Sequence, residues 1–292
     1  MNNASKAAWH GRNAVSHKML SVEQSRNFDR LGYHFPLRAF APGQIALCRS
    51  KLESFEQAHG GTLSGQLRNK PHLLFTWADE IIRHPAILDA VEDLLGPDLL
   101  VWSSSFFTKD PKDPGFVSWH QDSTYWGLEP DDVVTAWVAL TEVTPENGCM
   151  QVIPGSHRID QLPHLDTFHK DNLLSRGQEI AVDVDKSKAV SLAMRAGEMS
   201  LHHIKLVHGS DPNRSDDRRI GFAIRYIPTY VRQTKVRDSA TLVRGVDTVG
   251  AFDHEPRPRR DLDDAALAAH ADAIDRQVRA LYQGTEKTAF RA

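Results

Sequence analysis

Trp119-His120-Gln121-Asp122 sets an imidazole and a carboxylate two residues apart, followed by the aromatic pair Tyr125-Trp126. In a β-strand, residues i and i+2 point to one face, so His120 and Asp122 can reach into one pocket and grip one ion. A third ligand must come from farther along, and His208 in Leu206-Val207-His208-Gly209-Ser210 is the candidate. Neutral imidazole and carboxylate suit Fe(II). Two histidines and one carboxylate on one face of an octahedron leave the opposite face open, which is the facial triad of non-haem Fe(II) oxygenases. A His-x-Asp pair alone carries little weight, because it also recurs as a hydrogen-bonded surface pair.

The second half of the chain adds to it. Arg219 lies eleven residues beyond His208, in Arg218-Arg219-Ile220-Gly221-Phe222. A strand starting there, antiparallel to the His208 strand, would bring a guanidinium beside the metal pocket. Its planar fork binds carboxylate bidentately and suits a dicarboxylate co-substrate. The alternative is a solvated strand-end charge. Arg218 should face the other way, whereas Arg225 shares the parity of Arg219 and could face inward deeper in the sheet. The reading is an oxygenase dependent on Fe(II) and 2-oxoglutarate and consuming O2. One of His202 and His203 could face the pocket by strand parity, but both are expected to be satisfied core or surface histidines, since an extra ligand would close a position that O2 needs. His157 is expected to be a turn residue.

These residues need a scaffold. Residues 1–20 lack periodicity and are expected to be loosely ordered. Residues 21–97 read as helical support. Ser21 and Gln24 form a capping-box pattern and Gly32 a stop. Ile45, Cys48, Leu52 and Phe55 keep helical spacing, and Pro85 opens the second of two helical pieces over 75–95. No chemistry is legible in this third. After Pro97 the chain becomes β-rich, with Leu99–Thr108, Val133–Leu140, Met150–Ile153, Glu198–His203 and Ile220–Tyr226 as strands. Glu146-Asn147-Gly148-Cys149 is a tight turn. Polar residues 158–187 read as an insertion loop and a lid candidate. A terminal helix over Asp261–Gln283 would bury Leu267, Ala271, Ile274, Val278 and Leu281. The whole, 1–292, reads as one domain: mainly β with flanking helices, a core over 98–230 and a C-terminal extension over 231–292. A sandwich, open barrel or jelly roll fits.

Composition narrows the class. The chain has 292 residues, 40% hydrophobic and 25% charged, with a net charge of -3, ordinary for a soluble globular protein. No basic footprint calls for nucleic acid, and no apolar run is long enough to span a bilayer. The two cysteines, Cys48 and Cys149, are too few for a disulfide framework, so reduced thiols in the cytoplasm are expected. The expected partner is a small-molecule substrate, and the assembly a monomer or homodimer.

Residues 99–228 resemble the phytanoyl-CoA dioxygenase family of 2-oxoglutarate oxygenases. The resemblance rests on Trp119-His120-Gln121-Asp122, Thr135 to Leu140, Glu146-Asn147-Gly148-Cys149, Val152 to His157 and Val207-His208-Gly209-Ser210 followed by Arg219. It implies a double-stranded β-helix (jelly roll, cupin-like). It also implies Fe(II) on His120, Asp122 and His208, and 2-oxoglutarate on Arg219 with Ser210 and Trp137 lining that end. Family members that halogenate replace the carboxylate with a small residue. The presence of Asp122 therefore favours hydroxylation, with desaturation, halogenation or a non-catalytic metal-binding module as alternatives. A zinc hydrolase gains no support from Arg219. Residues bordering the triad are the expected substrate contacts: Lys109, Gln121, Tyr125, Trp126 and Tyr226. Lys109 and Arg232 could attract an anion, although exposed basic residues are usually just solvated.

Overall fold

The structure is a computed structural model that describes residues 17–63, 65–286 and 290. Most of the predicted residues 1–20 lie outside the described set. Residues 17–20 do not fit the loose terminus expected of them, because the Asp93 carboxylate accepts from the N–H groups of Lys18, Met19 and Leu20 at 2.7–2.9 Å. Helix α1 (Val22–Leu31) follows, with Ser21 and Gln24 capping each other's backbone N–H. Gly32 ends it at φ +82, where a Cβ would lie 2.4 Å from His157 Nδ1. The helical third continues as α2 (Pro42–Ala58), α3 (Thr76–Ile82) and α4 (Pro85–Leu95), with β1 (Tyr33–Arg38) between the first two helices.

The β region begins with β2 (Leu99–Lys109) and β3 (Val117–His120), followed by α5 (Ser123–Trp126), β4 (Leu128–Glu129), β5 (Val134–Ala139) and β6 (Met150–Val152). Residues 158–187, expected to be an insertion loop, contain a small hairpin of β7 (His164–Asp166) and β8 (Gln178–Ile180). Then come β9 (Val190–Ser191), β10 (Glu198–His203), β11 (His208–Ser210), β12 (Arg219–Pro228), β13 (Arg232–Gln233), β14 (Ser239–Arg244), β15 (Asp253–His254) and α6 (Asp264–Leu281).

Two facing sheets make the jelly roll. The larger has the order β1-β10-β5-β12-β2-β14-β15 and the smaller β3-β11-β6-β9. Three strands of the larger sheet, β1, β14 and β15, lie outside the 98–230 core expected from the sequence. Strand alternation decides what each face does. On β12, Ile220, Phe222, Ile224 and Tyr226 join the apolar core with Ile87 and Val91 of α4. Their odd-numbered neighbours Arg219, Ala223 and Arg225 turn to the other side and line a cavity between the sheets.

Helix α6 buries a face one step round from the one its apolar residues predict. Ala266, His270, Ala273 and Gln277 are buried alongside Ile274, Val278 and Leu281, whereas Leu267 and Ala271 are exposed. Hydrophobic spacing cannot foresee this, because two of the buried positions are polar. His270 is accommodated by a 2.8 Å hydrogen bond from its Nε2 to the Asn69 carbonyl.

Candidate metal and co-substrate site

His208 stands directly opposite His120 in the β11–β3 pairing, and the two ring centroids are 4.1 Å apart. Asp122 arrives by a different route from the extended i, i+2 geometry. Strand β3 ends at His120, and Asp122 takes helical dihedrals (φ -64, ψ -32) at the start of α5, its N–H donating to the Ile204 carbonyl at 3.0 Å. The turn brings its Oδ1 to 3.2 Å from His120 Nε2. Ligand atoms of His120, Asp122 and His208 all lie within 4.8 Å of one another; among the described residues, no other group of this kind could share a metal ion.

The backbone fixes the tautomers. His120 Nδ1 lies 2.9 Å from the Ser118 carbonyl and 3.1 Å from that of His208, and His208 Nδ1 lies 2.8 Å from the Leu206 carbonyl. A carbonyl only accepts, so each Nδ1 carries the proton and each Nε2 is left to ligate. A bare His120 Nε2 facing a carboxylate oxygen at 3.2 Å needs a proton or a metal cation between them. Burial pushes the Asp122 carboxyl up, but the close His120 ring, with His208 and Arg225 nearby, outweighs it and holds it well below the usual carboxylate range. Burial, then the neighbouring His120, pushes His208 down to about 4. A neutral imidazole and an ionised carboxylate are the forms a metal binds. The donor set fits Fe(II).

One end of the cavity is built from β12, β5 and β11. Arg219 is buried, donates from Nη1 to the Gly148 carbonyl at 2.5 Å and sits 5.6 Å from the Trp137 ring centroid. Its Nε has no partner and it forms no ion pair among the described residues. Burial pushes its pKa down to about 10. Ser210 and Trp137 line the same cavity. Arg218 faces the opposite way and pairs with Glu56 and Asp110. Lys109 is neither exposed nor a cavity-facing substrate contact. It is fully buried, lies opposite Arg219 in the β2–β12 pairing, and donates to Ser210 Oγ at 2.8 Å and to the Asp211 carbonyl. Burial, then Arg219, pushes it down to about 6. Lys109 therefore buttresses the Arg219 end.

Gly221 makes room for that end. A Cβ there would lie 1.8 Å from Trp137 Cζ2, so the indole lies flat across β12 beside Arg219. Gly221→Ala should push the ring aside and weaken 2-oxoglutarate binding about ten-fold, roughly the loss of one good contact. An unchanged KM for 2-oxoglutarate would show that Trp137 does not shape this end.

The other expected substrate contacts divide. Trp126 lines the cavity, its ring tilted against that of Trp102 with centroids 5.0 Å apart. Gln121 does not. It points away from His120 and Asp122, held there by hydrogen bonds to the Lys205 carbonyl and from the Leu162 N–H. Tyr125 lies outside the cavity wall, under the Arg176 guanidinium at 4.1 Å. Tyr226 faces the helical core and donates to the Ile82 carbonyl, since its even position puts it on the far side of β12. Arg232 is exposed on β13. His202 is buried, lines the cavity and sits 5.1 Å from the His208 ring with Nδ1 unpartnered, but is not among the three convergent ligands. His157 bonds the Asp29 carbonyl through Nε2, away from the cavity.

Sequence reasoning missed several wall residues. Ser103, Ser105 and Phe107 share the inward parity of Lys109 on β2, and serines within an apolar strand were the signal. Arg68 and Asn69 come from the third read as packing material, and Gln277 from α6; no sequence pattern marked them. The cavity is open to solvent at its mouth, and residues 158–187 contribute Leu173, Leu174 and Gln178 to its wall.

His203, buried against His157 on the far side of β10 from the cavity, makes the fold acid-sensitive. Burial, then His157 and Lys205, pushes it from an ordinary value near 6.5 down to about 3. The unfolded chain therefore takes up a proton that the folded chain refuses. This contribution is full above pH 6.5, declines as pH falls, and is gone below about pH 3. The thermal midpoint of metal-free protein should fall between pH 6 and pH 4, with a shallower slope over that window in His203→Gln. Equal slopes would remove His203 from the account.

A jelly roll carrying a His-x-Asp and a distal His beside a buried arginine defines the class of 2-oxoglutarate-dependent non-haem iron dioxygenases, whose cofactor is Fe(II) and whose co-substrates are 2-oxoglutarate and O2. The family model for phytanoyl-CoA dioxygenase (PhyH) matches residues 49–221, and the chain belongs to that family. A solved structure of the non-heme monooxygenase ThoJ in its apo form is 40% identical, covering 89% of this chain and 98% of that one with a TM-score of 0.80. CytC3 with Fe(II) and alpha-ketoglutarate is 26% identical, covering 85% and 97% with a TM-score of 0.63. A probable alpha-ketoglutarate-dependent hypophosphite dioxygenase of Stutzerimonas stutzeri is 31% identical over 175 residues, or 59% of this chain and 60% of that protein. The match thus spans less than two thirds of that curated relative. Among the described residues, no helix is long and apolar enough to cross a membrane.

Proposed function

We propose that the chain binds Fe(II) through His120, Asp122 and His208 and 2-oxoglutarate through Arg219, and hydroxylates an unactivated C–H bond of a small organic substrate. The observation that carries this is one cavity holding both a convergent two-His, one-carboxylate set and a buried, unpaired guanidinium. Bound iron and 2-oxoglutarate would supply the O2-dependent oxidising chemistry, with 2-oxoglutarate leaving as succinate and CO2. The residues do the rest. The carbonyls of Ser118, Leu206 and His208 aim the imidazoles. Arg219 offers its fork to the distal carboxylate, with Ser210 and Trp137 shaping that end. Trp102, Trp126 and Phe107 wall the opposite side, excluding water and holding the substrate's C–H bond near the triad. Asp122 supplies the carboxylate that a halide would replace, which supports hydroxylation. Cys48 and Cys149 are free thiols, which supports a reducing compartment such as the cytoplasm.

The test is anaerobic titration of Fe(II)-loaded protein with 2-oxoglutarate. A weak visible charge-transfer band, followed by succinate formation when O2 is admitted, is the expected result. Bound iron without a band would sink the 2-oxoglutarate assignment and leave a metal-binding module.

A further inference from the structure

A second buried guanidinium faces the cavity. Arg225 is six residues beyond Arg219 on the same face of β12, separated by about 20 Å of strand. In the sheet it lies opposite Ser103 on one side and Thr135 on the other, and Thr135 lies opposite His202. That row reaches the metal ligands from the side away from Arg219. Nη1 donates to Ser105 Oγ at 2.9 Å and to the Ala223 carbonyl at 3.2 Å, Nε has no partner, and Arg225 makes no ion pair among the described residues. The guanidinium carbon lies 5.6 Å from the Trp126 ring centroid and 5.7 Å from that of Phe107. These aromatic faces hold the cation in place without neutralising it.

A buried charge is costly unless it meets a counter-charge. Asp122 favours the charged form of Arg225, but in the proposed function that carboxylate is committed to the metal. There the iron, Asp122, 2-oxoglutarate and Arg219 balance one another, which leaves Arg225 uncompensated. Gln277 adds an unpartnered buried Nε2 to the same cavity wall.

We infer that the substrate carries an oxyanion, a carboxylate or a phosphonate, which Arg225 binds at the end of the molecule remote from the oxidised C–H bond. The inference rests on the proposed function, because it takes Arg219 to be occupied by 2-oxoglutarate. Substrate is thus held between Arg225 and the triad, its body against Trp126 and Phe107. Arg225 sets specificity, and 2-oxoglutarate binding does not depend on it.

The experiment uses Ni(II)-loaded protein saturated with 2-oxoglutarate and reads tryptophan fluorescence, since Trp102, Trp126 and Trp137 line the cavity. Phenylacetate, phenylphosphonate and neutral phenylacetamide are the probes. At least one anion should bind roughly ten-fold or more tightly than the amide, the gain from a charge-assisted pair. Whichever anion is preferred identifies the headgroup class. Arg225→Gln should remove the preference, Arg225→Lys should keep part of it, and both should bind 2-oxoglutarate as wild type does. Equal binding of acid and amide, no binding of either anion, or a preference that survives in Arg225→Gln overturns the proposal. Failure of the underlying reading looks different: 2-oxoglutarate would not bind, or Arg219→Gln would bind it as tightly as wild type.

Discussion

Asp122→Ala is expected to lose Fe(II) on dialysis and to lower succinate formation by more than about a hundred-fold. Outer-shell partners of metal ligands already cost 10–100-fold when removed, and a ligand itself contributes more. The three ligand atoms converge within 4.8 Å, so none of the remaining donors can shift to replace the carboxylate while the backbone carbonyls hold both rings. The fold should survive, because the Asp122 side chain contacts the triad rather than the core, and its backbone N–H bond to Ile204 is untouched. Metal content by absorption spectroscopy and the visible band with 2-oxoglutarate check the first claim. A thermal midpoint within a few degrees of wild type checks the second. A variant that retains both iron and turnover would remove Asp122 from the ligand set.

Arg219→Gln should raise the KM for 2-oxoglutarate about a hundred-fold, since truncating one partner of a buried, hydrogen-bonded charge pair costs roughly 2–5 kcal/mol. Glutamine retains a donor for the Gly148 carbonyl but not the fork or the charge. Lys109 cannot take over, because its ammonium is engaged by Ser210 and Asp211 and burial favours its neutral form. Turnover at saturating 2-oxoglutarate should fall far less, because the lost contact lies away from the reacting bond and acts on binding in ground and transition states alike. Steady-state kinetics separates the two. A fall in kcat with an unchanged KM would place Arg219 elsewhere in the cycle.

Much of the site was legible because strands alternate. Parity alone sends Arg218 outward to Glu56 and turns Arg219 and Arg225 inward. The capping box at Ser21 and Gln24, the break at Pro85 and the turn at Gly148 are local events, and local chemistry reports them. Parity failed where one face was taken for another's neighbourhood. Gln121 borders two ligands in sequence yet points away from them, and Tyr226 packs under helices rather than over substrate.

The sequence by itself determined which side chains are chemically able to hold a metal and a dicarboxylate, and on which face of its own element each lies. Tertiary structure alone decided which of those faces meet. Asp122 reaches His120 through a helical turn after the strand has ended. Lys109 is drawn behind Ser210 instead of facing substrate, and Arg225 lands at the far end of the cavity from Arg219. Arg68 and Gln277 come into its wall from opposite ends of the chain. The physical reason is that periodicity reports the orientation of a side chain on its own strand or helix, whereas a pocket is made by pairing and packing between segments a hundred or more residues apart, which leave no local pattern.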